Sequence, residues 1–148
     1  MYEKILVPID SSEVAHRALD EAIRLGKAMN SQLRVVHAVN AHFFRFDELE
    51  DVVDVKEVEQ KLKGAGEAVL AKAAQKAAAA GLKAETGLLN AQGERVAKVM
   101  EDEAERWGAT LIVIGTHGRT GFNYMIMGSV VEELLRLAKM PMLIIHGD

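Results

Sequence analysis

The sequence predicts an α/β fold in which an open parallel sheet is covered by helices on both faces. Two observations support this prediction. Short apolar segments alternate along the chain with longer segments in which apolar residues recur every three or four positions, the pattern of strands alternating with amphipathic helices. The apolar segments are also continuous, as in residues 5–9 and 111–114, which is typical of strands buried on both faces.

The chain begins with a strand, a helix and a second strand. Residues 5–9 predict a buried strand, after which Ser11 or Ser12 can accept hydrogen bonds from the free N–H groups at the start of a helix. The apolar periodicity of this helix continues to about Met29. Residues 33–39 then predict the second strand.

The middle of the chain contains an irregular segment and a long helix. Residues 40–51 carry three of the four phenylalanines beside several acidic residues, and we interpret them as a loop or a short irregular helix. Residues 52–80 show a long helical pattern. Gly81 predicts the end of this helix, because glycine adopts without strain the left-handed conformation that follows many helices.

The remainder of the chain continues the alternation of strands and helices. Residues 82–89 predict the third strand, residues 93–107 the third helix, and residues 110–114 the fourth strand. Residues 129–138 then predict the fourth helix and residues 141–145 the last strand. The proline at the start of this last strand suits an edge or first-residue position, where no backbone N–H is required for the ladder.

The length, charge and cysteine content limit the classes of function. A chain of 148 residues fits a single domain that spans residues 1–148. The net charge of -4 and the pI of about 5.8 argue against non-specific binding to nucleic acid, so we expect no nucleic-acid partner. The absence of cysteine excludes disulfides, thiolate zinc sites and cysteine nucleophiles.

The distribution of apolar residues bears on location. No apolar stretch approaches the ~20 residues that a helix needs to span a bilayer. The first residues lead directly into a strand and lack the apolar core of a signal peptide. We therefore expect a soluble, cytoplasmic protein without membrane insertion.

The most informative segment is a glycine-rich loop between the fourth strand and the fourth helix. It contains Gly115, Gly118, Gly121 and Gly128, and Ser129 follows at the start of the helix. Glycines let the backbone approach a ligand and turn its N–H groups inward, and a helix N-terminus favours negative charge, so this loop predicts a phosphate site. The spacing is neither that of a Walker A loop nor that of GxGxxG. The simpler alternative is that the glycines only permit turns.

The order of the strands indicates where this site lies. In open parallel sheets, ligands bind at the carboxyl ends of the strands where the winding direction reverses. If the first strand is central, Asp10, Val39 and Gly115 converge there. Asp10 could accept hydrogen bonds from ribose hydroxyls or a base amino group, or could simply form a turn or helix cap. The apolar residues that could enclose a flat base are Pro8, Ala38, Val39 and Ile114.

The phosphate end of the predicted site lies at the start of the fourth helix. Gly128 and Ser129 offer backbone N–H groups and a hydroxyl, and Arg119 offers a movable cation. His37 lies in an apolar strand, and we interpret it as a hydrogen-bonded core histidine. The histidines show no metal-ligand spacing, although Mg²⁺ or Mn²⁺ could arrive with nucleotide phosphates.

The chain resembles the universal stress protein family over its full length. The resemblance rests on residues 5–12, 36–38, 115–121, 128–130 and 141–145. Its most specific part is glycine, two residues, glycine, nine residues and Gly-Ser, a pattern that marks the ATP-binding branch of the family. The resemblance implies a five-stranded sheet of order 3-2-1-4-5, similar to adenine nucleotide alpha hydrolases. It also implies a cytoplasmic homodimer, formed through the last strand, with a regulatory role under stress.

The resemblance also implies individual contacts. Asp10 and Ala38 would contact adenine and ribose, and Gly115 would lie at the ribose end. The phosphate contacts would come from Gly118, Gly128, Ser129 and Val130. The complete set that we predict to bind the nucleotide is Pro8, Ile9, Asp10, Ala38, Val39, Ile114, Gly115, Gly118, Arg119, Gly128, Ser129 and Val130.

Three functions remain open at this point. The first is a regulatory protein that binds ATP, ADP or AMP and contacts a further protein whose identity the sequence does not indicate. The second is a slow ATPase or autophosphorylating protein, although the chain shows neither a Walker lysine nor an obvious catalytic base, and we assign no catalytic residue. The third is an interaction module that binds no nucleotide and uses the glycine loop as a hinge.

Overall fold

The structure is a computed structural model that describes residues 1–39, 55–116 and 128–147. Its strands are β1 (Lys4–Pro8), β2 (Gln32–Val39), β3 (Ala84–Asn90), β4 (Leu111–Gly115) and β5 (Met142–Ile145). The helices of the described residues are α1 (Glu13–Met29), α2 (Val55–Ala79), α3 (Val96–Trp107) and α4 (Ser129–Leu137). The predicted order of strands and helices is confirmed.

The five strands form a single parallel sheet of order β3-β2-β1-β4-β5. This confirms the α/β class, the central position of the first strand and the order 3-2-1-4-5. The chain winds outward from β1 in one direction through β2 and β3, and then returns to β4 on the other side of β1. The winding direction therefore reverses between β1 and β4, at the centre of the sheet.

Helices cover both faces of the sheet, as predicted. On one face, Ile5 belongs to a buried cluster with residues of α1 and α2, such as Leu19. On the other face, Leu6 belongs to a second cluster with Met100 of α3 and Leu134 of α4. Successive residues of β1 thus point to opposite cores, which explains why its sequence is continuously apolar. Fully burying a leucine or isoleucine side chain contributes roughly 1.5–3 kcal/mol.

Most predicted boundaries within the described residues agree with the structure to within one residue, and two differ by more for local reasons. The third helix begins at Val96 instead of residue 93, because Gln92 and Gly93 have φ angles of 50° and 87°, which are incompatible with a right-handed helix. The third strand begins at Ala84 instead of residue 82, because the Leu82 N–H still donates to a carbonyl of α2.

Other predictions concern the end of α2 and the residues that precede this helix. Gly81 has a φ of 86° and ends α2, as predicted. The segment 40–51, with its three phenylalanines, and residues 52–54 lie outside the described residues. Within residues 1–39, 55–116 and 128–147, the structure contains no helix with the length and apolarity needed to cross a membrane.

Candidate functional site

A cleft opens at the carboxyl edge of the sheet because the ladder between β1 and β4 ends early. These two strands pair only at Ile5 and Leu6 of β1. The pairing of β1 with β2 continues to Pro8, and the pairing of β4 with β5 continues to Gly115. The two halves of the sheet therefore separate beyond Leu6, at the point where the winding reverses.

Pro8 provides a chemical reason for this separation. The Lys4 N–H donates to Thr110 Oγ1 at 3.0 Å on the β4 side, whereas the Ile9 N–H donates to the Val36 carbonyl at 2.8 Å on the β2 side. Because successive residues of a strand direct their N–H groups to opposite neighbours, position 8 would donate towards β4. Proline has no N–H, so this position cannot donate a ladder bond to β4.

The cleft contains a cavity of about 270 Å³, just below the usual size range of small-molecule sites. Its lining is mostly apolar, with a few polar side chains from the ends of the strands and from α1. This combination is typical of sites that enclose a flat organic group and orient it through a few hydrogen bonds. The lining residues are Pro8, Ile9, Asp10, Ser12, Val14, Ala15, His37, Ala38, Val96, Met100, Ile114, Gly115, Val130 and Val131.

Asp10 stands at the junction between β1 and α1. Asp10 is half-buried, and its Oδ1 accepts a hydrogen bond from the Ser12 N–H at 2.8 Å, which closes a turn beside the cavity. Ser12 in turn caps α1, because its Oγ accepts from the Ala15 N–H at 3.2 Å. Asp10 therefore has the turn role that the sequence allowed. Asp10 also lines the cavity, where its carboxylate can accept further hydrogen bonds.

His37 lies behind this junction. Its Nδ1 is 2.8 Å from the carbonyl oxygen of Ile9, the residue before Asp10. Since a carbonyl oxygen only accepts, Nδ1 carries the proton and donates. The side chain is buried, with 9% of its surface exposed, and it also lines the cavity. The prediction of a hydrogen-bonded core histidine is confirmed.

Gly115 lies at the end of β4, directly against the first turn of α1. A methyl group on its Cα would stand 2.9 Å from Val14 Cγ2 and 3.2 Å from the Val14 carbonyl oxygen. The absence of a side chain therefore allows α1 and β4 to approach each other closely beside the cavity.

The start of α4 forms another wall of the cleft. Gly128 is the residue before the helix, with φ −63° and ψ 151°, and its N–H donates to the Thr116 carbonyl oxygen at 2.6 Å. The next three N–H groups, those of residues 129–131, have no acceptor within the helix, and Gly128 has no side chain with which to cap them. This end of α4 carries the partial positive charge of the helix dipole.

The predicted site residues divide into three groups. Those that line the cavity are Pro8, Ile9, Asp10, Ala38, Ile114, Gly115 and Val130. Three others, Val39, Gly128 and Ser129, lie at the same edge of the sheet but are not among the residues that line the cavity. The Val39 carbonyl accepts from the Ala91 N–H at 2.9 Å, and Ser129 is exposed. Gly118 and Arg119 lie outside the described residues.

Further lining residues were not predicted from the sequence. They are Ser12, Val14, Ala15, His37, Val96, Met100 and Val131. Ser12, Val14 and Ala15 follow directly from the position of α1 after Asp10, so their adjacency to the site could have been inferred. Val96 and Met100 are four residues apart on the inward face of α3, but only the path of that helix across the sheet brings them to the cavity.

Among the described residues, no group of three histidine, aspartate or glutamate side chains is arranged to hold a metal ion.

The whole chain is similar to proteins of one family. A model of the Universal stress protein family matches residues 1–146. The chain belongs to this family. Universal stress protein YxiE of Bacillus subtilis is 33% identical over 151 residues, which cover 99% of this chain and 100% of the relative. The family resemblance seen in the sequence is thereby confirmed.

Solved structures of universal stress proteins share the fold. A protein of the family from Burkholderia pseudomallei aligns with a TM-score of 0.81 and 32% identity, covering 99% of this chain and 97% of that chain. A universal stress protein in complex with cAMP aligns with a TM-score of 0.73 and 25% identity, covering 99% of both chains. Both alignments include β1 and β4, since each covers 99% of this chain.

Proposed function

We propose that this universal stress protein binds an adenine nucleotide, ATP or its products ADP and AMP, in the cleft between β1 and β4. The observation that carries the proposal is the cavity itself. It lies at the winding reversal of a parallel sheet and has apolar walls beside Asp10, and it adjoins the start of α4, which Gly128 does not cap with a side chain.

The apolar part of the cavity suits the base. Pro8, Ala38 and Ile114 come from three neighbouring strands, and Val96 and Met100 of α3 lie across from the sheet. A flat aromatic ring placed between these groups loses its contact with water and gains dispersion contacts on its faces. The Asp10 carboxylate would accept hydrogen bonds from the ribose hydroxyls or from the amino group of the base.

The start of α4 suits the phosphates. Residues 129–131 contribute N–H groups without helical acceptors, and the helix dipole adds positive potential at this end. Gly118 and Arg119 remain predicted phosphate contacts. Mg²⁺ or Mn²⁺ would be held by the phosphates, because Mg²⁺ commonly binds through substrate phosphates and one or two carboxylates instead of a complete protein cage.

A known complex supports the choice of adenine. The universal stress protein that was solved with cAMP is similar to this chain over 99% of its length, and cAMP contains the same base and ribose. Together with the cavity, this similarity favours an adenine nucleotide over other phosphate-bearing ligands. We further propose that the nucleotide regulates a cytoplasmic homodimer, joined through β5, and thereby its contact with a further protein under stress.

The direct test is to identify and titrate the ligand. The purified protein would be denatured and its supernatant analysed by ion-exchange chromatography with mass detection. The emptied protein would then be titrated calorimetrically with ATP and Mg²⁺. We expect an adenine nucleotide in the supernatant or saturable binding in the titration. No nucleotide in the extract and no binding up to about 1 mM ATP would contradict the proposal.

Asp10 allows a test of the ribose and base end. Asp10→Asn retains an oxygen that can accept from the Ser12 N–H, but it places an NH₂ donor where the second carboxylate oxygen was. We expect ATP affinity to fall about tenfold or more while the unfolding midpoint changes little, because a hydrogen bond to a charged group is lost only in the complex. Equal affinity in Asp10→Asn would show that this residue serves the turn alone.

Gly128 allows a test of the phosphate end. Its φ and ψ angles lie in the extended region that valine also adopts, so Gly128→Val is compatible with the local backbone. The branched side chain would obstruct the approach of phosphate to the start of α4, and we expect calorimetric titration to show no ATP binding. The matched control is a titration with adenosine, which lacks phosphates and whose affinity should be retained. Unchanged ATP affinity would exclude this end of the cleft as the phosphate site.

A further inference from the structure

We propose that His37 is a positioning residue for the nucleotide site, and that α2 holds it in place through Gly66. This inference rests on the proposed function, since it names a regulatory path into that site. It is argued from two contacts of the buried His37 imidazole. One is with the junction between β1 and α1, and the other is with the backbone of α2.

The first link is the contact between α2 and His37. Gly66 is a buried glycine in the interior of α2, where glycine is unfavourable by roughly 0.5–1 kcal/mol relative to alanine. A methyl group on its Cα would lie 2.7 Å from His37 Cδ2 and 2.7 Å from Leu88 Cδ1. Contacts below 3.0 Å are not tolerated between carbon atoms. The glycine therefore permits the helix backbone to lie directly against the imidazole ring.

The second link is the hydrogen bond from His37 to β1. The Nδ1–H donates to the Ile9 carbonyl oxygen at 2.8 Å, and the Ile9 N–H donates to Val36 at 2.8 Å. Both backbone polar groups of Ile9 are therefore bonded to residues of β2. Its N–H donates to the Val36 carbonyl, and its carbonyl accepts from the His37 side chain. Ile9 is also the residue between Pro8, which cannot donate to β4, and Asp10, which lines the cavity.

The two links form a short mechanical path. The imidazole lies between the backbone of α2 and the carbonyl of Ile9, so a displacement of α2 changes the position of the ring and of its hydrogen bond. Because Asp10 is the next residue along the chain, the direction of its carboxylate depends on that hydrogen bond. A close-packed interior transmits such a displacement instead of absorbing it. A partner that binds α2 could therefore alter nucleotide affinity without touching the nucleotide.

The chain offers a matched pair of glycines for the experiment. Gly64 lies two residues before Gly66 on the same helix, is exposed, and has no atom within 4 Å of an added methyl group. Gly64→Ala and Gly66→Ala therefore gain the same helix propensity, but only the second pushes against His37. We expect Gly66→Ala to weaken ATP binding about tenfold in calorimetric titration and Gly64→Ala to leave it unchanged.

Substitutions of His37 test its hydrogen bond to Ile9 directly. They keep the inference testable even if Gly66→Ala does not fold. His37→Leu removes the donor, and we expect about tenfold weaker ATP binding. His37→Asn carries an NH₂ on the same Cγ atom that bears Nδ1, so it can donate to Ile9 and should restore affinity to within about threefold of the wild-type value. All titrations would be made well below the unfolding transition, where a purely structural loss of stability does not change the measured affinity.

A second readout is independent of the ligand. In ¹⁵N–¹H spectra of the nucleotide-free protein, the Asp10 and Ser12 amide resonances should shift in Gly66→Ala and His37→Leu but not in Gly64→Ala. Wild-type affinity together with unshifted amides in these two variants would overturn the inference. If the wild-type protein binds no ATP, the proposed function fails. Unshifted amides would then also overturn the path from α2 to Asp10, and shifted amides would support it.

Discussion

At the residue scale, Gly115 shows how one glycine can meet two requirements. The sequence predicts that it lies at the ribose end of a nucleotide site, and the structure places it against Val14 at the start of α1. Its backbone does not have the positive φ of Gly81, Gly93 and Gly108. The need for glycine at this position therefore comes from close packing between a strand and a helix, beside the cavity that both of them line.

Gly115→Ala should destabilise the protein by about 1–3 kcal/mol, the usual cost of inserting an extra carbon into a well-packed region. The reason is that the new methyl group would meet the Val14 side chain at 2.9 Å and its carbonyl oxygen at 3.2 Å. Urea unfolding, followed by circular dichroism, would measure the change. In a Val14→Ala background the same substitution should cost less, because the γ carbons are gone. Equal costs in both backgrounds would contradict the packing explanation.

At the element scale, three helices end with the same backbone arrangement. The left-handed residues are Asn30 after α1, Gly81 after α2 and Gly108 after α3, with φ angles of 55°, 86° and 81°. In each case the following N–H donates back to a carbonyl five residues earlier, at 2.8 to 2.9 Å. This arrangement satisfies carbonyl groups that a helix end would otherwise leave without donors, and it turns the chain towards the next strand.

Gly81→Ala should lower the free energy of unfolding by about 1–2 kcal/mol, because an L-residue is strained in the left-handed conformation. Gly64→Ala, within α2, is the matched control. Neither glycine has an atom within 4 Å of an added methyl group, so the two substitutions differ only in backbone conformation. The control should be neutral or more stable by up to roughly 1 kcal/mol. Thermal and urea unfolding of both variants would detect the difference, and equal midpoints would refute it.

The bounds of these elements show how far local patterns are informative. The end of α2 could be predicted, since Gly81 follows a long alanine-rich helical pattern. The start of α3 was predicted three residues too early, because Gly93 was included in the helix although its φ is 87°. The identity of a residue shows which conformations it tolerates. Whether a particular glycine continues a helix or ends it depends on the backbone conformation that the surrounding structure imposes.

At the scale of the whole molecule, β3 and β5 are the edge strands of the sheet that the described residues form. β5 pairs with β4 on one side, and no strand of the described residues covers its other side. Leu143 on β5 and Leu135 on α4 are 36% and 46% exposed. An apolar edge strand tends to pair with another chain, which supports the proposed dimer through β5.

Leu143→Lys should shift the protein from dimer to monomer, because a charged side chain on an edge strand opposes pairing between chains. Thr86→Lys places the same charge on the opposite edge, at an exposed position of β3, and should leave the dimer intact. Sedimentation velocity over a range of concentrations would measure both. A wild-type monomer at all concentrations, or a dimer that only Thr86→Lys dissociates, would exclude β5 as the interface.

The sequence by itself determined the class of fold, the order of the elements and the strand ends that carry Asp10, Ala38 and Gly115. These features depend on local periodicity and on the position of a residue at the end of a strand, which neighbouring residues encode. The tertiary structure alone decided that β1 and β4 separate after Leu6. It also decided that Met100 reaches the cavity from α3, which packs on the face of the sheet opposite α1. It alone also decided which carbonyl His37 binds. These features join residues distant along the chain, and their positions follow from packing that no local pattern contains.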